Sequence, residues 1–191
     1  MKILYLDATV RPQSRTAELA QLLLTQLDGE VTHVKLSEIA FPVTDASFLA
    51  RRDRGIAAQD FSDPLFALAK QFAAAECIVI AAPYWDLSFP ASLKQYFEQI
   101  NVIGLTFCYT EDGIPQGLCK AQQLYYVTTA GGTAAPDTYG FGYVQALAQR
   151  FYGIPDCKLF KAEGLDLYGA DPDALLDAAR QQILVAFGGN I

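Results

Sequence analysis

The chain divides by the period of its apolar positions. Five short stretches read as strands: Lys2 to Leu6, Val31 to Leu36, Cys77 to Ala82, Gln123 to Thr129 and Cys157 to Phe160. The third, Cys77-Ile78-Val79-Ile80-Ala81-Ala82, is apolar throughout and is stopped by Pro83, which fits a strand covered on both faces. Between the strands the period becomes helical. Leu19, Leu22, Leu23 and Leu27 share one face of a helix from about Arg15 to Leu27. A weaker, charged helical pattern runs from Asp45 to Asp60, with Arg51, Arg52, Asp53 and Arg54 together on a solvated surface. Pro64 opens a helix through Leu65, Leu68, Ala69 and Phe72. Leu93, Phe97 and Ile100 mark another from Pro90 to about Ile103. Phe141, Val144, Leu147, Ala148 and Phe151 predict one from Asp137 to Tyr152, ended by Gly153 and Pro155. Asp171-Pro172 starts the last, which Gly188-Gly189 closes. Two short alternating runs around Asp112-Gly113 predict a hairpin.

Alternating strands and helices predict one α/β domain over residues 1–191. The expected architecture is a doubly wound, parallel, five-stranded sheet of order 2-1-3-4-5 with helices on both faces. The loops after the first, third and fourth strands then open on one edge, and the switch point lies between the first and third.

Those three loops carry the candidate chemistry. The first, Asp7 to Ser14, leads into a helix whose N-terminus offers unpaired amides and partial positive charge to a phosphate. Ser14 and Thr16 add hydroxyls, and Arg11 or Arg15 adds charge, although Ser14 taken alone is an ordinary helix cap. The second, Pro83-Tyr84-Trp85-Asp86-Leu87-Ser88-Phe89, offers flat apolar surface; ligand wall and core packing are both open readings. The third, Thr128-Thr129-Ala130-Gly131-Gly132, either lets backbone approach a ligand or is a plain turn. Jointly they describe a site for a phosphate tail, a linker and a flat ring, which is the shape of FMN.

Composition narrows the partners. An apolar fraction of 52% and a charged fraction of 18% belong to a globular chain, not a disordered one. A net charge of −7 disfavours nucleic acid and anionic lipid. The N-terminal run meets Asp7 too early for a signal peptide, and no apolar run reaches membrane-spanning length, so a cytoplasmic protein without membrane insertion is expected. Cys77, Cys108, Cys119 and Cys157 form no CxxC and are expected as reduced, buried thiols, with no metal site. His33, the one histidine, has no cluster of partners in the sequence and is expected to be structural. GxGxxG, GxxxxGK and GxSxG are absent, which argues against the common dinucleotide fingerprint, a Walker loop and a serine hydrolase.

Five segments carry a resemblance. Pro83 to Lys94 resembles P-M-Y-N-F-x-I-P-x-x-L-K, and Gly104 to Gly113 resembles G-x-T-F-x-Y-T-E-N-G. Thr129 to Gly132 resembles S-R-G-G, Phe151 to Ile154 resembles F-x-G-I, and Ala162 to Gly164 matches A-E-G. Their order and spacing are those of the FMN-dependent NADH-azoreductases and related NAD(P)H:quinone oxidoreductases, which have a flavodoxin-like fold. The resemblance covers nearly the whole chain and is weakest from Phe41 to Phe61.

It implies that Thr9, Ser14, Arg15 and Thr16 hold the ribityl phosphate. Pro83, Tyr84, Trp85, Asp86 and Leu87 would line the ring, largely through backbone groups, and Thr129, Ala130, Gly131 and Gly132 its other edge. Tyr109 and Phe151 would wall the substrate pocket near a homodimer interface. FMN is favoured over FAD, NADH or NADPH would donate a hydride to flavin N5, and a quinone or azo compound would then accept. No protein side chain is expected to be catalytic, because the cofactor supplies the reactivity. Asp86, Leu87 and Ala130 stand where the family usually has Asn, an aromatic and Arg, which bears on substrate preference. The rival from another class is a flavodoxin-like electron carrier that binds FMN without oxidising NAD(P)H directly.

Overall fold

A computed structural model describes residues 1–133 and 135–188. The expected helix stop at Gly189 therefore lies outside the described residues. Strands β1 (Lys2–Asp7), β2 (Glu30–Lys35) and β3 (Cys77–Ala81) alternate with helices α1 (Arg15–Leu24), α2 (Ala46–Ala58) and α3 (Ala67–Ala74). Then come α4 (Ala91–Ile100), the short strands β4 (Phe107–Tyr109) and β5 (Pro115–Gly117), β6 (Gln123–Thr129), α5 (Phe141–Leu147), β7 (Asp156–Ala162) and α6 (Pro172–Ala186). The sheet order is β2-β1-β3-β6-β7, with every pair parallel, and β4 and β5 form a separate antiparallel hairpin. This is the expected 2-1-3-4-5 order.

Strand alternation builds two cores. Leu4, Leu6, Ile78, Ile80, Leu124 and Tyr126 pack toward α3, α4 and α5. Ile3, Tyr5, Val79, Tyr125 and Val127 pack toward α1 and α6. All of β3 is buried, as its unbroken apolar run requires. By contrast α2 buries no residue fully, which accounts for its weak pattern.

Several boundaries differ from the periodicity. Helix α1 stops at Leu24 rather than Leu27, where Thr25 Oγ1 takes the Leu22 carbonyl at 2.7 Å. Helix α4 stops at Ile100 because the buried hydroxyl of Thr106 takes the Ile100 carbonyl at 2.6 Å. The single helix expected over 137–152 is three pieces: a 3-10 turn (Asp137–Tyr139), α5, and a π turn (Ala148–Tyr152) that Gly153 ends at φ 75°. Periodicity sees one apolar stripe there and cannot register the change of hydrogen-bond spacing.

The four cysteines are free thiols, and burial pushes Cys77 and Cys119 up to about 12 and Cys157 up to about 11. Among the described residues no helix is long and apolar enough to cross a membrane, and no cluster of His, Cys, Asp and Glu could hold a metal ion.

Candidate functional site

The loops after β1, β3 and β6 converge on a crevice of about 200 Å³. Thr9, Ser14, Arg15 and Thr16 line it from the first loop, Pro83, Tyr84 and Trp85 from the second, and Thr129 and Gly131 from the third. A hollow of about 270 Å³ lies at the opposite edge of the sheet beside Lys2, Glu30 and Gln71, where none of these loops reaches. The crevice is therefore the place where the sequence-predicted groups meet.

Its inner wall is polar and buried. Ser14 caps α1, its Oγ accepting from the Ala17 amide at 3.2 Å. The amides of Arg15 and Thr16, at the first turn, have no carbonyl one turn back to bond. Thr16 Oγ1 and Thr129 Oγ1 are 2.7 Å apart, so one donates to the other and the second proton is free for a ligand. A donor set of hydroxyls at a helix N-terminus fits a phosphate.

The outer wall is different. Trp85 and Ser88 exchange both backbone hydrogen bonds, at 3.1 and 2.8 Å, across a two-residue turn. Asp86 (φ 51°) and Leu87 (φ 66°) are both left-handed there, as a type I′ turn demands. Neither residue lines the enclosed crevice; they form the tip beyond it, with Leu87 58% and Trp85 39% exposed. Ser88 Oγ donates to the Tyr139 carbonyl at 2.7 Å, which ties this loop to the turn before α5. The expectation of backbone contacts to the ring narrows, because the Tyr84 amide already bonds the Thr129 carbonyl at 3.0 Å and the Trp85 amide bonds Ser88. The Tyr84 hydroxyl is buried, and burial, followed by the charges of Glu163 and Asp137, pushes its pKa up.

In the third loop, Ala130 is buried and its amide donates to the Ala162 carbonyl at 2.9 Å, so neither faces the crevice. The carbonyls of Gly131 and Gly132 hold the turn after β7, accepting from Asp166 and Gly164 at 3.0 and 2.8 Å. Gly131 reaches the crevice and Gly132 does not. Tyr109 and Phe151 come together away from it, on either side of Phe107, with ring centroids 5.5 and 4.8 Å from that ring. Gly117 lets their two elements approach: a Cβ there would stand 2.1 Å from the Gly153 nitrogen.

Three residues with roles at this edge, Asp166, Asp7 and Lys35, were not singled out from the sequence. Asp166, from the turn after β7, lines the crevice and pairs with Arg15 at 2.9 Å. Asp7, at the end of β1, is buried and bonds Lys35 Nζ at 2.8 Å and the Thr9 amide at 2.8 Å. Burial alone would raise its carboxyl; the Lys35 and Thr9 hydrogen bonds outweigh that and hold it below the ordinary carboxylate range. His33 has a carboxylate partner after all, its Nε2 3.3 Å from Asp7 Oδ2 and its ring stacked on Tyr5. The available signal was register: Asp7 and Lys35 end two strands that pair in parallel, and they are direct partners.

With this geometry in place, the chain can be set beside known proteins. The model of a family described as having the flavodoxin-like fold matches residues 1–186. An FMN-dependent NADH:quinone oxidoreductase of Pseudomonas savastanoi pv. phaseolicola is 34% identical over 195 aligned residues, covering 95% of this chain and 96% of the relative. A protein of the same name from Clostridium beijerinckii is 31% identical, covering 93% of each. Among solved structures, an azoreductase from Bacillus anthracis str. Sterne superposes with a TM-score of 0.83 over 99% of each chain at 21% identity. An FMN-dependent NADH-azoreductase from Bacillus anthracis str. Ames Ancestor, in complex with FMN, gives 0.81 over 97% of each at 22% identity. The structural likenesses speak for the fold; the sequence relatives, matched across their whole length, place the chain in the FMN-dependent NADH:quinone oxidoreductase family.

Proposed function

We propose that the chain is an FMN-dependent oxidoreductase that oxidises NADH or NADPH and reduces a quinone, an azo compound or a similar flat acceptor in a ping-pong sequence. The observation that carries this reading is the convergence of a buried hydroxyl-and-helix wall and an aromatic wall on one crevice at the switch point of the sheet. FMN, when bound, supplies a ring that takes up and returns two electrons.

The protein's own residues bind and orient. Thr9, Thr16 and the first amides of α1 hold the phosphate, with Arg15 turning toward it from Asp166. Tyr84 and Trp85 lie against the ring, and the tip residues Asp86 and Leu87 present their amides and apolar surface to it. Gly131, where a side chain would meet Asp166, and Gly132, beside Ala130, would offer backbone to the far edge of the ring. The crevice is small, about 200 Å³, and the Arg15–Asp166 pair stands in its lining, which favours FMN over FAD. Tyr109 and Phe151 sit apart from the crevice and serve as acceptor wall in a homodimer, where a second copy brings them near the ring. Cytoplasmic location completes the reading. Donor and acceptor use the same face in turn, and the chain orients both and excludes water.

Initial rates of NADH and NADPH oxidation at several fixed quinone concentrations test the reading. Parallel double-reciprocal lines are expected; converging lines contradict alternate occupancy, and no acceptor-dependent oxidation contradicts the activity.

A further inference from the structure

This inference rests on the crevice being a flavin phosphate site, and it concerns the charge that a phosphate meets there. The chain carries a net charge of −7, which repels an anion at long range. The crevice lining departs from that balance. It holds three charged side chains, Arg11, Arg15 and Asp166, so one positive charge is in excess. The two arginines differ in what they already bond. Arg15 Nη2 donates to Asp166 Oδ1 at 2.9 Å, and Nη1 donates to the Leu165 carbonyl at 3.4 Å. Arg11 is exposed, and among the described residues no carboxylate stands within ion-pair distance of it. Its backbone is constrained by Pro12, whose ring keeps the preceding residue out of the helical region and fixes the next φ. Arg11 therefore sits in a stiff approach to α1, three residues before the Ser14 cap.

We infer that Arg11 supplies the uncancelled positive charge that a flavin phosphate meets, and so sets the preference for FMN over riboflavin. A phosphate monoester carries about 1.5–2 negative charges at neutral pH. The free amides at the α1 N-terminus contribute about half an elementary charge. Hydroxyls solvate the remainder without neutralising it. Arg15 reaches a phosphate only by giving up Asp166, so its gain is the difference between two similar pairs. Arg11 gives up water alone, and its planar guanidinium matches two phosphate oxygens at once. Because Arg11 is exposed, the contact lies at the mouth of the crevice, where salt screens it.

The test titrates flavin-free full-length protein with FMN and, separately, with riboflavin, following quenching of flavin fluorescence at low and high salt. Arg11→Gln is expected to weaken FMN about tenfold at low salt and to leave riboflavin unchanged, and the loss shrinks as salt rises. Arg11→Lys restores most of the loss, because charge is the larger part of the contact. Arg15→Gln weakens FMN by less than Arg11→Gln does. Thermal unfolding of flavin-free Arg11→Gln should match that of the unmodified chain, since Arg11 pairs with nothing in the protein. Equal weakening of both flavins, a loss that salt does not reduce, or a larger loss at Arg15 overturns the inference. So does unchanged FMN affinity with a raised KM for NADH, which would assign Arg11 to the electron donor instead. Equal affinity of the unmodified protein for FMN and riboflavin removes the phosphate site itself, and both readings with it.

Discussion

On the β1 side of the crevice, polar atoms are buried and bonded to one another; on the β3 side, apolar surface is exposed on a strained turn. Asp7, Thr9, Thr16 and Thr129 are at most 9% exposed, and each has its partner in place. Trp85 and Leu87 are largely open, and Leu87 holds a left-handed backbone that costs a β-carbon residue about 1–2 kcal/mol. The first wall suits a ligand group that never changes. The second suits planar partners that alternate, because flat surface discriminates weakly among them. Strain is tolerable at the tip because Ser88 and Tyr139 pin the loop from outside.

Substitutions on the two walls should separate these roles. The largest effect is expected at Asp7→Ala, which strands Lys35 and the Thr9 amide without their carboxylate partner. Urea unfolding should show a loss of about 3 kcal/mol. The same residue gives a pH signature. Its carboxyl is held below the ordinary 3.8, so its stabilisation is complete above that value and disappears as pH falls through the lower folded value. Unfolding curves of the wild type and Asp7→Ala should therefore differ at neutral pH and converge in acid.

Next in size, Thr16→Val removes the buried hydroxyl pair with Thr129. It leaves the Thr129 hydroxyl without that partner and should cost about 1–2 kcal/mol in FMN affinity by titration. On the other wall the sign reverses. Leu87→Gly relieves the left-handed leucine and should raise stability by about 1 kcal/mol, or about 2–4 °C in Tm, while raising KM for the acceptor. A matching loss of FMN affinity there would show that the walls are not independent. The smallest effect belongs to Asp166→Asn. Asp166 is exposed, so stability should stay within about 0.5 kcal/mol. Freeing Arg15 should tighten FMN a few-fold, an effect that fades as salt rises.

The sheet order and the three converging loops were legible because they follow from local period: an apolar run for β3, helical spacing for α1, and Asp112-Gly113 for the hairpin. The aromatic loop was legible as composition but not as shape. Asp86-Leu87 is not the Asn-Gly or Asp-Gly pair that announces a type I′ turn, so its left-handed pair was hidden. The Asp7–Lys35 and Arg15–Asp166 pairs join residues 28 and 151 positions apart, and only tertiary register brings them together. Asp7 did carry a faint signal as the one charge closing an apolar strand. Ala130 was expected at the ring through the family resemblance; its amide continues the pairing between β6 and β7.

The most direct measurement of the central claim is an absorption spectrum of the purified protein with FMN, recorded before and after NADH is added without oxygen. Bound-flavin bands that bleach with NADH or NADPH are the predicted result. Bands that form and do not bleach with either donor would make the protein an electron carrier, and the absence of bound flavin at any FMN concentration would contradict the account.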